Sequence, residues 1–315
     1  MIRETRLIAL KGHDFSRATK AIDSTRALAP AVCPPPNPHP VSSSPASRGF
    51  RASIAAMACW ALLSTIPASA ADVQKILASP LQQVQSADFR TTGHLVRVQA
   101  TGARISYPIT IKAHWFPGVL RVLVDVGTTS KATASSSASL FPPAHILLEM
   151  RPNGQSVIKT AHPGDAAPAT LPFEKWSDGP LGSGFSYEDF LEPQYFWANQ
   201  TALAQAQFGA RQCDVLLSAP GPSDRTHYNQ VKTWLDKSIG FPVYVEKSLR
   251  ASGGLKQFTY LGLRHDEGVW SASQIEVKTS GQAGSTLLII DRGSAKANLS
   301  LKDFSIEQLT HFQDR

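Results

Sequence analysis

Over residues 95–290 the chain is written in short stretches of alternating apolar and polar residues broken by turn signals, and this period of two governs what it can fold into. Leu95, Arg97 and Gln99 alternate with Val96, Val98 and Ala100. Residues 105–115 alternate less strictly, and 119–126 is an apolar run carrying Arg121 and Asp125. Residues 145–150 and 156–159 flank Pro152-Asn153-Gly154, a hairpin signal. Residues 213–218, 243–249, 257–263, 273–279 and 285–290 continue the pattern, with Ser252-Gly253-Gly254, Gly268 and Gln282-Ala283-Gly284 as breaks. Residues 228–237 fit a helix through Val231, Trp234 and Leu235, or a strand through Tyr228, Val231 and Trp234 before Pro242. No strand–helix–strand alternation occurs, which argues against a parallel sheet. The pattern predicts a mainly β domain: a large curved antiparallel sheet, a half-open β-barrel, with one or two covering helices.

Ahead of the strands, Val73, Ile76, Leu77 and Val84 recur at helical spacing, which predicts a short helix interrupted by Pro80. Residues 128–143, with Ser135-Ser136-Ser137 and Pro142-Pro143, form a long loop. Its bland reading is a surface loop; the sharper one rests Leu140 and Phe141 over an apolar opening. The apolar payload is large, and five tryptophans (Trp115, Trp176, Trp197, Trp234 and Trp270) lie in the strand-rich part. A curved sheet must cover its concave face. Full cover gives a sealed core, and partial cover gives a cavity for an apolar ligand. On the residues alone the sealed core is favoured.

The segment before the helix reads as an export signal. Arg48 and Arg51 precede an apolar run of 13 residues, 54–66, closed by Pro67 and the small-x-small site Ala68-Ser69-Ala70. The run is well short of the ~20 residues of a membrane-spanning helix. The expected division is therefore 1–47 as an extension without a core, 48–70 as a signal peptide and 71–315 as a single domain outside the cytoplasm. A signal placed so far along the chain makes Met1 suspect as the true start, with Val41 an alternative. Of 31 Lys+Arg and 24 Asp+Glu, residues 1–70 hold eight and three, leaving 23 against 21 in the domain. Nearly balanced charge without a basic cluster excludes a nucleic-acid footprint. Cys33 and Cys59 lie ahead of the cut, and Cys59, inside the apolar run, is a poor lipid-anchor site. The domain keeps Cys213 alone, so it stands on its core rather than on disulfides.

Catalytic patterns are missing: no HExxH, GxSxG, P-loop or dinucleotide glycine motif occurs, and no cofactor is implied. The histidines are scattered without an i, i+4 pair, so no metal site is predicted. Glu188 and Asp189, if on a strand, would point to opposite faces. Cys213 has no basic neighbour to activate it.

One segment is specific. Gly182-Ser183-Gly184-Phe185-Ser186-Tyr187-Glu188-Asp189-Phe190, then Pro193 and Tyr195, resembles a segment of the outer-membrane lipoprotein-sorting protein family, the LolA-like periplasmic lipid carriers often found beside RND-type exporters. Weaker matches in family order are residues 118–124, 146–154, 228–237, 268–270 and 275–277, so the resemblance covers most of 88–305. It implies a LolA/LolB-like half-barrel with helices across its mouth, holding an acyl chain or similar lipid in the periplasm, without enzymatic activity. It also raises the cavity above the sealed core. The implied partners are the apolar ligand and an RND-type or other inner-membrane exporter, with the chain acting as a monomer. The lid-locking arginine of LolA proper has no match here, which leaves the cargo open. The predicted lining residues are Trp115, Val122, Val124, Leu140, Phe141, Leu147, Phe185, Tyr187, Trp234, Ile275, Val277 and Leu288. A structural role for the segment is also expected: Tyr187 packing inward, with Glu188 and Asp189 bonded to loop amides. The rival readings are a non-enzymatic envelope interaction or sensor module with a sealed core, and a hydrolase built on scattered His and Asp residues.

Overall fold

The computed structural model describes residues 70–127, 143–153 and 155–312. The extension at 1–47, the signal segment up to Ser69, Gly154 of the hairpin and the loop residues Leu140 and Phe141 lie outside the described residues.

Thirteen strands form one antiparallel sheet: β1 (Asp88–Val98), β2 (Arg104–Phe116), β3 (Val119–Val126), β4 (Ala144–Met150), β5 (Ser156–Ala161), β6 (Ala169–Thr170), β7 (Asn199–Phe208), β8 (Arg211–Ala219), β9 (Tyr228–Asp236), β10 (Pro242–Leu249), β11 (Leu255–Asp266), β12 (Val269–Thr279) and β13 (Ser285–Ser294). The chain enters mid-sheet at β1 and steps outward to one edge at β6. It restarts at the opposite edge with β7 and steps back until β13 pairs with β1. The sheet is not closed into a barrel: β6 and β7 are its edges. Residues 228–237, open between helix and strand in the sequence, are β9.

This topology dictates the cover. The connection from β6 to β7 has to pass from one edge to the other, so it runs over the concave face. It does so through four short 3-10 turns, Phe173–Lys175, Pro180–Gly182, Tyr187–Phe190 and Pro193–Phe196. Its Trp176, Leu181, Phe185, Leu191, Tyr195 and Trp197 are buried in the main core. They pack with the inward parity of the strands, Leu120, Val122, Val124 and Val126 on β3 and Ile146, Leu148 and Met150 on β4. Gly184 N–H donates to Thr286 Oγ1 at 2.7 Å, and Trp115 stacks on Phe196 at 5.6 Å, which pins the crossing to the middle of the sheet.

Helix α1 (Ala70–Gln85) is continuous through Pro80, contrary to the predicted interruption. Proline removes one backbone bond, to the carbonyl four residues earlier, and disfavours the turn around it. Burial of Pro80 with Val73, Leu77 and Val84 holds the helix regardless. The helix packs against β7, β8 and the Pro193–Phe196 turn. Gly240, at φ +64°, lets the β9–β10 turn reach α1, since a Cβ there would stand 2.3 Å from Ser79 Oγ. The second helix is not a lid. α2 (Ile306–Thr310) and the turn Leu301–Phe304 lie on the convex face, where Phe304 and Leu309 pack with Leu123, Leu147 and Ala161.

Candidate functional site

The concave face is covered incompletely, and a cavity of about 600 Å³ remains between sheet, α1 and the crossing segment. Ile111, Val122, Phe258, Ile275 and Leu288 form its sheet wall, Phe185 and Phe190 come from the crossing segment, and Val84 closes it from α1. Strand β11 runs along it. Phe258 and Tyr260 line one end, and Arg264 and Asp266 the other. From Phe258 to Asp266, at ~3.3 Å per residue, the stretch of that strand bordering the cavity covers roughly 26 Å. At the rim the exposed Asp266, Glu267, Asp291 and Arg292 carry mixed charge.

The opposite end stands on a buried ion cluster. Asp189 sits in the Tyr187–Phe190 turn, whose capping box has the Ser186 side chain and backbone N–H both bonded to the Asp189 carboxylate. Lys247 Nζ donates to it at 2.9 Å, Lys256 Nζ at 2.8 Å and Tyr228 Oη at 2.7 Å. The Asp189 side chain is 0% exposed, and those of the lysines 6% and 8%. Burial alone would push this carboxyl up; the two ammonium groups and the Ser186 N–H outweigh it and hold it well below the usual carboxylate range. Glu192, lining the cavity nearby, is pushed up by burial, with Lys247 and the Tyr260 hydroxyl pulling back.

Glu188 and Asp189 diverge, as expected, but for a different reason. They occupy a 3-10 turn, not a strand, and Glu188 accepts from Thr226 Oγ1 at 3.0 Å and His227 N at 3.2 Å. The expected loop-amide bonds therefore exist, while the lysine partners of Asp189 were not foreseen. The signal for them lies in the alternation. Lys247 shares the inward parity of Val243 and Val245, and Lys256 that of Phe258 and Tyr260. A lysine on an apolar parity marks a buried charge that needs a partner.

Four predicted lining residues, Val122, Phe185, Ile275 and Leu288, line the cavity. Trp115, Val124, Tyr187 and Val277 belong to the same core without bordering it. Leu147 and Trp234 are corrections: both lie on the outer face. Leu147 is directly paired with Leu123 and packs under the C-terminal segment, while its neighbours Ile146 and Leu148 point inward. Trp234 lies opposite Tyr244 with its ring 4.9 Å away and Lys232 Nζ 4.7 Å above it. The outer face at Leu147 is covered by the C-terminal segment, and Trp234 is half-buried by its cross-strand neighbours, so hydrophobicity alone does not reveal parity.

Cys213 is buried, and burial together with the Asp236 carboxylate pushes its thiol up, the opposite of activation. Among the described residues no group of three or more His, Cys, Asp or Glu side chains is arranged to hold a metal ion, and no helix is long and apolar enough to cross a membrane.

An open antiparallel sheet wrapped on an apolar interior is the LolA-like fold, and solved structures bear this out. A domain from Vibrio parahaemolyticus that carries the name outer membrane lipoprotein-sorting protein is 19% identical, with a TM-score of 0.66 over 76% of this chain and 99% of that one. A DUF1329 family protein from Desulfovibrio piger is 13% identical, with a TM-score of 0.65 over 76% and 99%. A LolA superfamily protein from Nitrosomonas europaea is 15% identical, with a TM-score of 0.54 over 75% and 99%. At these identities the likeness is one of fold. A family model described as that of an uncharacterized protein matches residues 174–311. No curated protein matches the chain by sequence.

Proposed function

We propose that this protein is a non-enzymatic periplasmic carrier for a lipid or lipoprotein acyl chain, held in the cavity on the concave face of the sheet. The observation that carries the reading is the apolar-walled cavity of about 600 Å³, within the range of small-molecule sites. Val122, Phe185, Ile275 and Leu288 would contact the chain. Each methylene they desolvate contributes ~0.8 kcal/mol, so a long chain binds without any polar contact. The cavity supports this reading over the sealed interaction module, whose interior would be filled. The fold likeness to lipoprotein-sorting domains points the same way, and the export signal read at residues 48–70 fits a periplasmic address. An inner-membrane exporter, of RND type or another, would be the donor.

Native mass spectrometry of the protein purified from bacterial membrane extract tests the reading, alongside titration with a fluorescent fatty acid. Co-purified lipid and saturable uptake are expected. Repeated absence of both would overturn it.

A further inference from the structure

The floor of the cavity holds more hydrogen-bond donors than it has acceptors to receive them. Each lysine ammonium carries three N–H donors. Lys247 and Lys256 give one apiece to Asp189. Asp189 is saturated, because its two oxygens already take five bonds, the others from Tyr228 Oη and from the Ser186 N–H and hydroxyl. The aromatic rings alongside offer only their faces: Lys247 Nζ lies 4.7 Å from the Phe258 ring centre and 5.1 Å from that of Tyr228. Of the two lysines, Lys247 borders the cavity. The remaining carboxyl there is Glu192, which takes the Tyr260 hydroxyl at 3.5 Å and makes no hydrogen bond to either lysine. Buried donors of this kind are satisfied in proteins by an acceptor. Lys247 thus keeps N–H donors on the cavity that neither carboxyl takes, and a charged donor is met best by an anionic acceptor.

We propose that the cavity takes a long-chain carboxylic acid head first, its carboxylate meeting Lys247 at the floor and its chain running along β11 toward the rim. The inference rests on the carrier reading and narrows it. A lipoprotein or phospholipid chain, tethered through its acyl carbon, could enter only methyl end first and would leave Lys247 unanswered. A free acid buries its charge against an ammonium and its methylenes against Ile275 and Leu288.

The test is calorimetric titration of the protein with palmitate and with methyl palmitate, which differ in the charge of one end. Palmitate is expected to bind at least ~10-fold tighter. Lys247→Met should abolish that preference, bringing palmitate down to the affinity of methyl palmitate, and circular dichroism of the variant reports that it is folded. Lys247→Arg, which keeps the charge, should retain the preference should the Met variant fail to fold. Equal affinity of the two ligands for the native protein, or a preference that survives Lys247→Met, overturns head-first binding while the carrier reading stands. Binding of neither ligand overturns both.

Discussion

Replacing Asp189 by Asn would expose how much of this fold hangs on one carboxylate. The substitution keeps the shape but removes the charge that two ammonium groups share, leaving Lys247 and Lys256 buried at 6% and 8% exposure without a counter-ion beside them. Breaking a buried ion pair from one side costs about 3–5 kcal/mol, because the partner's desolvation is no longer offset. Against a typical total of ~5–15 kcal/mol this is a large fraction of the stability. With a urea slope of ~1–3 kcal/mol/M, the midpoint should fall by at least ~1 M. Tryptophan fluorescence during urea unfolding measures it. The triple change Asp189→Leu, Lys247→Met and Lys256→Met should recover most of the loss, since an apolar replacement of the whole cluster leaves no orphaned charge. The pH dependence has a definite sign. The folded carboxyl lies below its ordinary value of 3.8, so its stabilisation is present above that value and is lost only as pH falls below it. Native protein should therefore lose stability on acidification below pH ~4 more steeply than Asp189→Asn. A loss under ~1 kcal/mol at neutral pH, or identical acid profiles, would refute the argument.

Leu147→Ala should cost ~2–5 kcal/mol in urea unfolding yet leave fatty-acid uptake unchanged, because Leu147 packs under the C-terminal segment on the outer face. Ala272→Phe should do the reverse: Ala272 borders the cavity, so the ring fills open space, and fluorescent fatty-acid uptake should drop at least ~10-fold with little change in stability. Gly240→Ala should lose ~1–2 kcal/mol from its left-handed backbone alone. Contact with Ser79 adds to this, and thermal melts of Gly240→Ala with and without Ser79→Ala separate the two contributions.

The strand pattern could be read because one face of each strand is buried, and burial imprints a period of two on residues such as Leu120, Val122, Val124 and Val126. It was least readable where that imprint is weak. The edge strand β7, Asn-Gln-Thr-Ala-Leu-Ala-Gln-Ala-Gln-Phe, pairs on one side only and is largely exposed, so alanine and glutamine suffice and no hydrophobic alternation announces it. The Gly182–Tyr195 segment carried the fold resemblance. Its Asp189, however, was expected to bond loop amides only, because the lysines it holds are 58 and 67 residues away in sequence. Of the cavity wall, Val122, Phe185, Ile275 and Leu288 were legible as inward apolar residues. Leu147 was misplaced because the C-terminal segment covers its outer face, and Trp234 because a large ring packs against Tyr244 and Lys232 on the outer face as an inward residue would in a core.

Local sequence thus determined what local physics governs: strand periodicity, turns, the apolar seam of α1, and an interior too hydrophobic to face water. Tertiary structure decided which edge β7 starts from, and hence that the 171–198 connection crosses the concave face. It also decided that this crossing fills the interior only partly, and that three charged groups distant in the chain meet at the cavity floor. Those outcomes depend on distances between residues remote in sequence, and no periodicity within a strand encodes them.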